Sequence, residues 1–127
     1  AQVGPLKIGE EGDFANTLHT MQTLSGRTIM KVATRDNTVI GAVATNAKLT
    51  KAEATKVAQM AQDGLARTIR PAHTMLDGDT IFAISTGNKK ADVSTIGAFA
   101  AEVMAQAILR GTEEAKSAGG LPGLKLE

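Results

Sequence analysis

The residues best equipped to do chemistry in this chain are one threonine and two aspartates. Thr38 follows Asn37 and opens a run of β-branched and apolar residues, Thr38-Val39-Ile40-Gly41-Ala42-Val43-Ala44-Thr45. If the Asn37–Thr38 bond is cut, Thr38 carries a nucleophilic hydroxyl and a free α-amine on one residue, and the amine can serve as the base. The plainer alternative is a turn that ends where a strand begins. Asp77 and Asp79 flank Gly78 just ahead of a second apolar run, residues 80–86. Two acids at this spacing can hold an ammonium group, orient a hydroxyl, or split acid and base roles through divergent pKa values. They equally suit a solvated Asp-Gly turn. Mg²⁺ or Ca²⁺ would need further oxygen ligands that the neighbourhood does not clearly offer. No metal and no cofactor is expected.

Other polar residues carry weaker signals. His73 could act as a base, since histidine as a residue type titrates near neutrality, or it could simply hydrogen-bond a Pro-x-His loop. With His19 as the other histidine, there is no metal cluster in the sequence. Arg67 and Arg70 could grip a carboxylate, or they could favour a helix C-terminus and face water. Neither G-x-G-x-x-G nor G-x-x-x-x-G-K occurs, so no phosphate loop is present, and the absence of G-x-S-x-G excludes a serine-hydrolase elbow. There is no cysteine, hence no thiolate nucleophile and no disulfide.

The elements that must position these residues follow from periodicity. Phe14, Leu18, Met21 and Leu24 share a helical stripe with Asp13 as its cap, and Ser25-Gly26 closes it. Residues 28–33 read as a strand. Residues 38–45, apolar at nearly every position, read as a strand covered on both faces. Thr50-x-x-Glu53 is a capping box, and the helix it starts lays Ala54, Val57, Ala58, Ala61 and Leu65 on one face and ends before Pro71. Residues 80–86 form a third strand, and residues 87–90 a loop. Asp92 or Ser94 caps a long helix with Ile96, Phe99, Ala100, Val103, Met104, Ala107 and Ile108 on one stripe. The order helix, strand, strand, helix, strand, helix predicts an α/β (α+β) fold with a mixed sheet packed by helices.

Composition bounds the possible partners. The chain has 127 residues, 43% apolar and 21% charged, with a net charge of +1 and no basic block. That is globular composition for one domain, and nothing in it calls for nucleic acid or an anionic membrane. Three Phe with no Trp or Tyr leave little for base stacking. No apolar run is long enough to span a bilayer.

Three blocks taken together resemble a known family. They are Asn37 to Ala47, then Gly64-Leu65-Ala66-Arg67-Thr68-Ile69-Arg70-Pro71-x-His73, then Asp77-Gly78-Asp79-Thr80-Ile81-Phe82-Ala83-Ile84-Ser85-Thr86. In this order and spacing they resemble the self-processing amidases of the D-aminopeptidase and β-aminopeptidase family, nearest the branch containing the nylon-oligomer hydrolase. The resemblance covers about residues 25–111. It implies self-cleavage at Asn37–Thr38, with Thr38 as the nucleophile and Asp77 and Asp79 organising it. It implies a four-layer αββα sandwich. Residues 1–37 would be the tail of a large subunit, 38–116 the small subunit bearing the nucleophile, and 117–127 a flexible tail. The expected partners are the large-subunit segment of the same precursor, a peptide or amino-acid-oligomer substrate, and further processed protomers in a homo-oligomer, with a cytoplasmic location. The fragment alone is expected to be nearly inactive. An acyltransferase like the ornithine acetyltransferases, or a non-catalytic ligand-binding relative, are the alternatives.

Overall fold

In the computed structural model, residues 16–23, 25–26, 28, 38–75, 77–120 and 123–125 are described. Five elements follow in order: α1 (Thr17–Gln22), β1 (Ile40–Ala47), α2 (Lys51–Thr68), β2 (Thr80–Lys89) and α3 (Val93–Glu113). The two strands are parallel, so α2 is the crossover that such a pair needs. Their register runs from Ile40↔Thr80 through Thr45↔Ser85.

Local signals start each helix. The side chain of Thr50 accepts the Glu53 N–H, and Glu53 Oε2 accepts the Thr50 N–H at 2.7 Å, so the expected capping box is formed. α2 ends at Thr68, just ahead of Pro71. Asp92, one of the two candidate caps of the last helix, accepts the Thr95 N–H at 2.7 Å. α1 is capped by Asn16, whose Oδ1 accepts the His19 N–H at 3.2 Å. Asp13, the expected cap, lies outside the described residues, as do Phe14 and Leu24 of the expected stripe.

α2 and α3 pack tightly on each other and on one face of the sheet. The core is Val57, Ala61 and Leu65 of α2, Ile81 of β2, and Ala100 and Met104 of α3. Burying side chains as large as Leu65 and Val57 contributes about 1.5–3 kcal/mol each. Glycines set the helix spacing. A Cβ on Gly64 would stand 2.6 Å from the Ala101 carbonyl oxygen, so α3 lies directly against the α2 backbone there. This contact turns α3. Gly97, Ala100, Ala101, Met104 and Ala105 are its buried face, whereas Phe99 and Val103, expected on the buried stripe, are exposed.

β1 alternates in burial, with Ile40, Ala42, Ala44 and Asn46 outward. Phe82 and Ile84 of β2 point to the same outer side. The expectation of a strand covered on both faces therefore meets a sheet covered on one. Among the described residues nothing overlies Ile40, 72% exposed, or Phe82, 57% exposed.

Two strand readings change. Residues 87–90 were expected as a loop, yet β2 runs to Lys89. The register shifts between Thr45 and Ala47 so that Ala47 pairs with Lys89, and Gly87 admits the Asn46 backbone where any Cβ would collide. Ser25, Gly26 and Thr28 are helical, so Ser25-Gly26 closes no helix and no strand starts at Thr28. Residues 29–33, the rest of that expected strand, lie outside the described residues. At the other end, the Lys125 N–H donates to the Ala115 carbonyl at 3.0 Å and the Gly123 N–H to Ser117 Oγ at 3.0 Å, which turns the tail back on itself.

Candidate active site

Parallel pairing puts the N-terminal ends of β1 and β2 side by side, and with them the residues that precede each strand. The Thr80 N–H donates to the Val39 carbonyl at 2.9 Å, extending the ladder by one residue before β1 begins. The Val39 N–H does not continue to the backbone. It donates instead to Asp79 Oδ1 at 3.1 Å. Asp79 thus closes the end of the ladder with its side chain and holds the first peptide group after Thr38.

The other carboxylate oxygen of Asp79 is also engaged. Oδ2 accepts the His73 N–H at 3.3 Å, and His73 Nδ1 lies 2.9 Å from the same oxygen. With its side chain 7% exposed, this carboxylate is nearly out of solvent, whereas the imidazole is 38% exposed. Three donors around a buried carboxylate are what satisfaction of such a group requires.

Thr38 stands at the outer side of this closure, in line with Ile40 and Ala42 by strand alternation, and is exposed. Its hydroxyl packs on Gly78, where an added Cβ would lie 3.0 Å from Thr38 Oγ1. The structure therefore brings Thr38, Gly78, Asp79 and His73 together through Val39.

Asp77 has a separate task. Its Oδ2 accepts the Thr74 N–H at 2.7 Å, while its own N–H donates to the Thr74 carbonyl at 3.1 Å. It staples the turn that carries the Asp-Gly-Asp segment into β2. The Thr74 N–H first, then the Thr74 side chain, hold its pKa below the ordinary 3.8, and the charge of His73 adds to this. The neighbouring acids thus divide their work, Asp77 within its own turn and Asp79 across to β1.

Arg67 is paired away from this group, and Arg70 is exposed. Arg67 faces Glu102 of α3 at 3.9 Å, both side chains more than half exposed, a pairing that contributes little. No group of three or more metal-ligating side chains occurs among the described residues. No helix among them is long and apolar enough to cross a membrane. Asn37 lies outside the described residues. Sequence reasoning missed the Val39 N–H and Gly78, and left His73 between base and loop. A main-chain donor and a close approach have no side-chain signature, and the one local sign of His73 is its place six residues ahead of Asp79.

A parallel β-α-β unit with a hydroxyl, a carboxylate and an imidazole gathered at the strand starts defines an α/β protein with a polar cluster at one end of its sheet. Its sequence matches the model of Peptidase family S58 over residues 4–125, and the chain belongs to that family. It is similar to an uncharacterized aminopeptidase of Mycobacterium leprae, 46% identical across 68% of this chain and 28% of that protein. An uncharacterized aminopeptidase of Mycobacterium tuberculosis is 43% identical across 68% of this chain and 29% of its own length. A 6-aminohexanoate-oligomer endohydrolase of Paenarthrobacter ureafaciens is 34% identical across 58% and 24%. The chain spans less than a third of the length of these relatives.

Proposed function

We propose that this chain carries the nucleophile of a self-processing amide hydrolase, with Thr38 attacking first its own precursor and then substrate. The observation that carries this reading is the closure of β1 by Asp79, which fixes the peptide group next to Thr38 while Gly78 leaves room for the hydroxyl. In the first reaction Thr38 Oγ attacks the Asn37 carbonyl carbon. The C–N bond to Thr38 breaks, the hydroxyl proton ends on the departing nitrogen, and an ester links Asn37 to Thr38 Oγ. Water hydrolyses the ester, leaving an Asn37 carboxylate and a Thr38 with free hydroxyl and α-amine. An α-amine with a pKa near 7.7–8.0 is partly neutral at physiological pH and can take the hydroxyl proton in later turnovers.

The mature hydroxyl then attacks a substrate amide, the amine leaves with a proton, and water releases the acyl group. Asp79 positions the nucleophile. Asp77 holds the segment carrying Asp79 and can meet an ammonium group on the substrate. The names of the relatives support amides of amino-acid or ω-amino-acid oligomers as substrates. The outer sheet face of Ile40, Phe82 and Ile84 is assigned to the large-subunit segment of the precursor, which would also supply oxyanion donors. The absence of one such donor costs roughly 100–1,000-fold in rate, so the isolated chain is expected to be nearly inactive. Processed protomers would assemble as homo-oligomers in the cytoplasm.

The test is intact mass, on the chain alone and on a precursor that includes the large-subunit segment. Two products splitting after Asn37, lost in Thr38→Ala, support the reading. A precursor that stays whole, or a Thr38→Ala variant that still splits there, overturns it. Release of acid in water, against transfer to added amines, separates a hydrolase from an acyltransferase.

A further inference from the structure

Among the described residues, His73 is the non-glycine residue with a positive φ, at 57°. This left-handed backbone is sparsely used by residues with a side chain, and histidine and asparagine are among those that tolerate it. Here it has a use. It lets the His73 N–H and the imidazole Nδ1 converge on one oxygen, Asp79 Oδ2, at 3.3 and 2.9 Å. The opposite oxygen, Oδ1, holds the Val39 N–H.

A carboxylate torsion is broad and soft, so a single donor on one oxygen leaves the plane free to rock. The two backbone N–H groups give each oxygen one donor, that of His73 at a long 3.3 Å, and the imidazole Nδ1 at 2.9 Å is the closer hold on Oδ2. We propose that His73 is a positioning residue: its imidazole locks the Asp79 carboxylate, and through the Val39 peptide it sets where the Thr38 hydroxyl and amine stand against Gly78. The proposal rests on Thr38 being the nucleophile. The imidazole here is not the base that takes the Thr38 proton. Its Nδ1 is committed to Asp79, and its effect reaches Thr38 through two intervening groups.

Three substitutions separate the imidazole from the backbone. His73→Gly accepts the positive φ, keeps the backbone N–H on Oδ2 and removes the imidazole donor. His73→Asn accepts it and restores an N–H near the position of Nδ1. His73→Asp has the shape of asparagine with an acceptor where the donor should be. Each is made in the precursor that includes the large-subunit segment. Cleavage at Asn37–Thr38 is timed by mass spectrometry, and kcat and KM of the matured enzyme are measured on an aminoacyl anilide. His73→Gly and His73→Asp are expected to slow cleavage and lower kcat by roughly 10- to 100-fold, the scale of a misplaced reacting group, with KM little changed. His73→Asn is expected to recover most of that loss.

If His73→Gly cleaves and turns over at the unsubstituted rate, the positioning role is overturned while the nucleophile stands. If His73→Asn is as slow as His73→Asp, the donor at Nδ1 is not what matters, and the proposal falls. Should His73→Gly not fold, the Asn–Asp contrast decides alone. If the unsubstituted precursor is never cut at Asn37–Thr38, the reading of Thr38 fails first.

Discussion

Asp79 Oδ1 accepts the Val39 N–H at 3.1 Å across forty residues of chain. A strand ladder normally gives such an N–H a backbone carbonyl. A side chain in that place ties the start of β1 to the segment before β2 and makes the geometry around Thr38 depend on one carboxylate.

Replacing that carboxylate is expected to cost stability as well as activity. Asp79→Ala leaves the Val39 N–H without its acceptor and exposes the His73 contacts to rearrangement, a loss of about 1–3 kcal/mol. Asp79→Asn keeps an oxygen for Val39 and is expected to lose less. Urea midpoints of the two variants test the order. An Ala variant as stable as the parent chain would show that the closure does not hold β1.

Gly78 is expected to be intolerant of a methyl group. The Cβ of Gly78→Ala would press on Thr38 Oγ1 from 3.0 Å, and the hydroxyl must move to relieve it. Folding should survive, since the conflict is with one side chain. Cleavage after Asn37 should slow by roughly tenfold or more, because small displacements of a nucleophile are costly. Cleavage at the parent rate with unchanged thermal stability would refute the packing argument.

Acid is expected to loosen the caps and the Asp77 staple together. The Thr50, Thr74 and Thr95 N–H groups lower the pKa of Glu53, Asp77 and Asp92, respectively, below ordinary values of 4.5, 3.8 and 3.8. Each folded value lies under the unfolded one, so the stabilisation is complete above the unfolded pKa and is lost as pH falls through the folded value. Urea midpoints should fall with a steepening slope below about pH 4.5. A triple variant, Glu53→Gln with Asp77→Asn and Asp92→Asn, should start lower and fall less over that window. Equal slopes would remove these groups as the cause.

The two glycines at the α2–α3 contact should behave differently. Gly64→Ala sets a methyl against the Ala101 backbone carbonyl, which moves only if the helices part, and is expected to cost about 1–3 kcal/mol. A Cβ on Gly97 meets chiefly the Met60 side chain, whose thioether end can swing aside. Thermal unfolding of the two variants should show Gly64→Ala as clearly the less stable.

Phe82, exposed on the outer sheet face, offers a test of assembly. Phe82→Lys should leave the fold of this chain intact, since the residue is more than half exposed and is not part of the core. It should abolish association with the large-subunit segment, read by size exclusion of the two pieces. Undiminished association would place that partner elsewhere.

Much of this protein was legible from local sequence. The capping box of Thr50 and Glu53 and the cap at Asp92 act within four residues, so composition and spacing determine them. The apolar runs after Thr38 and Asp79 announced two strands, and the three spaced blocks pointed to the family that the whole-chain match shows. The rest depended on which residues meet across long stretches of chain. Parallel register placed Asp79 beside Val39, and the left-handed backbone at His73 turned the imidazole onto that acid. The bare backbone of Gly64 turned α3 so that small residues, not Phe99, are buried, and Gly87 let β2 run on beside Asn46. Periodicity within one element cannot encode such contacts, because they arise only when two surfaces are packed to a fixed separation and register.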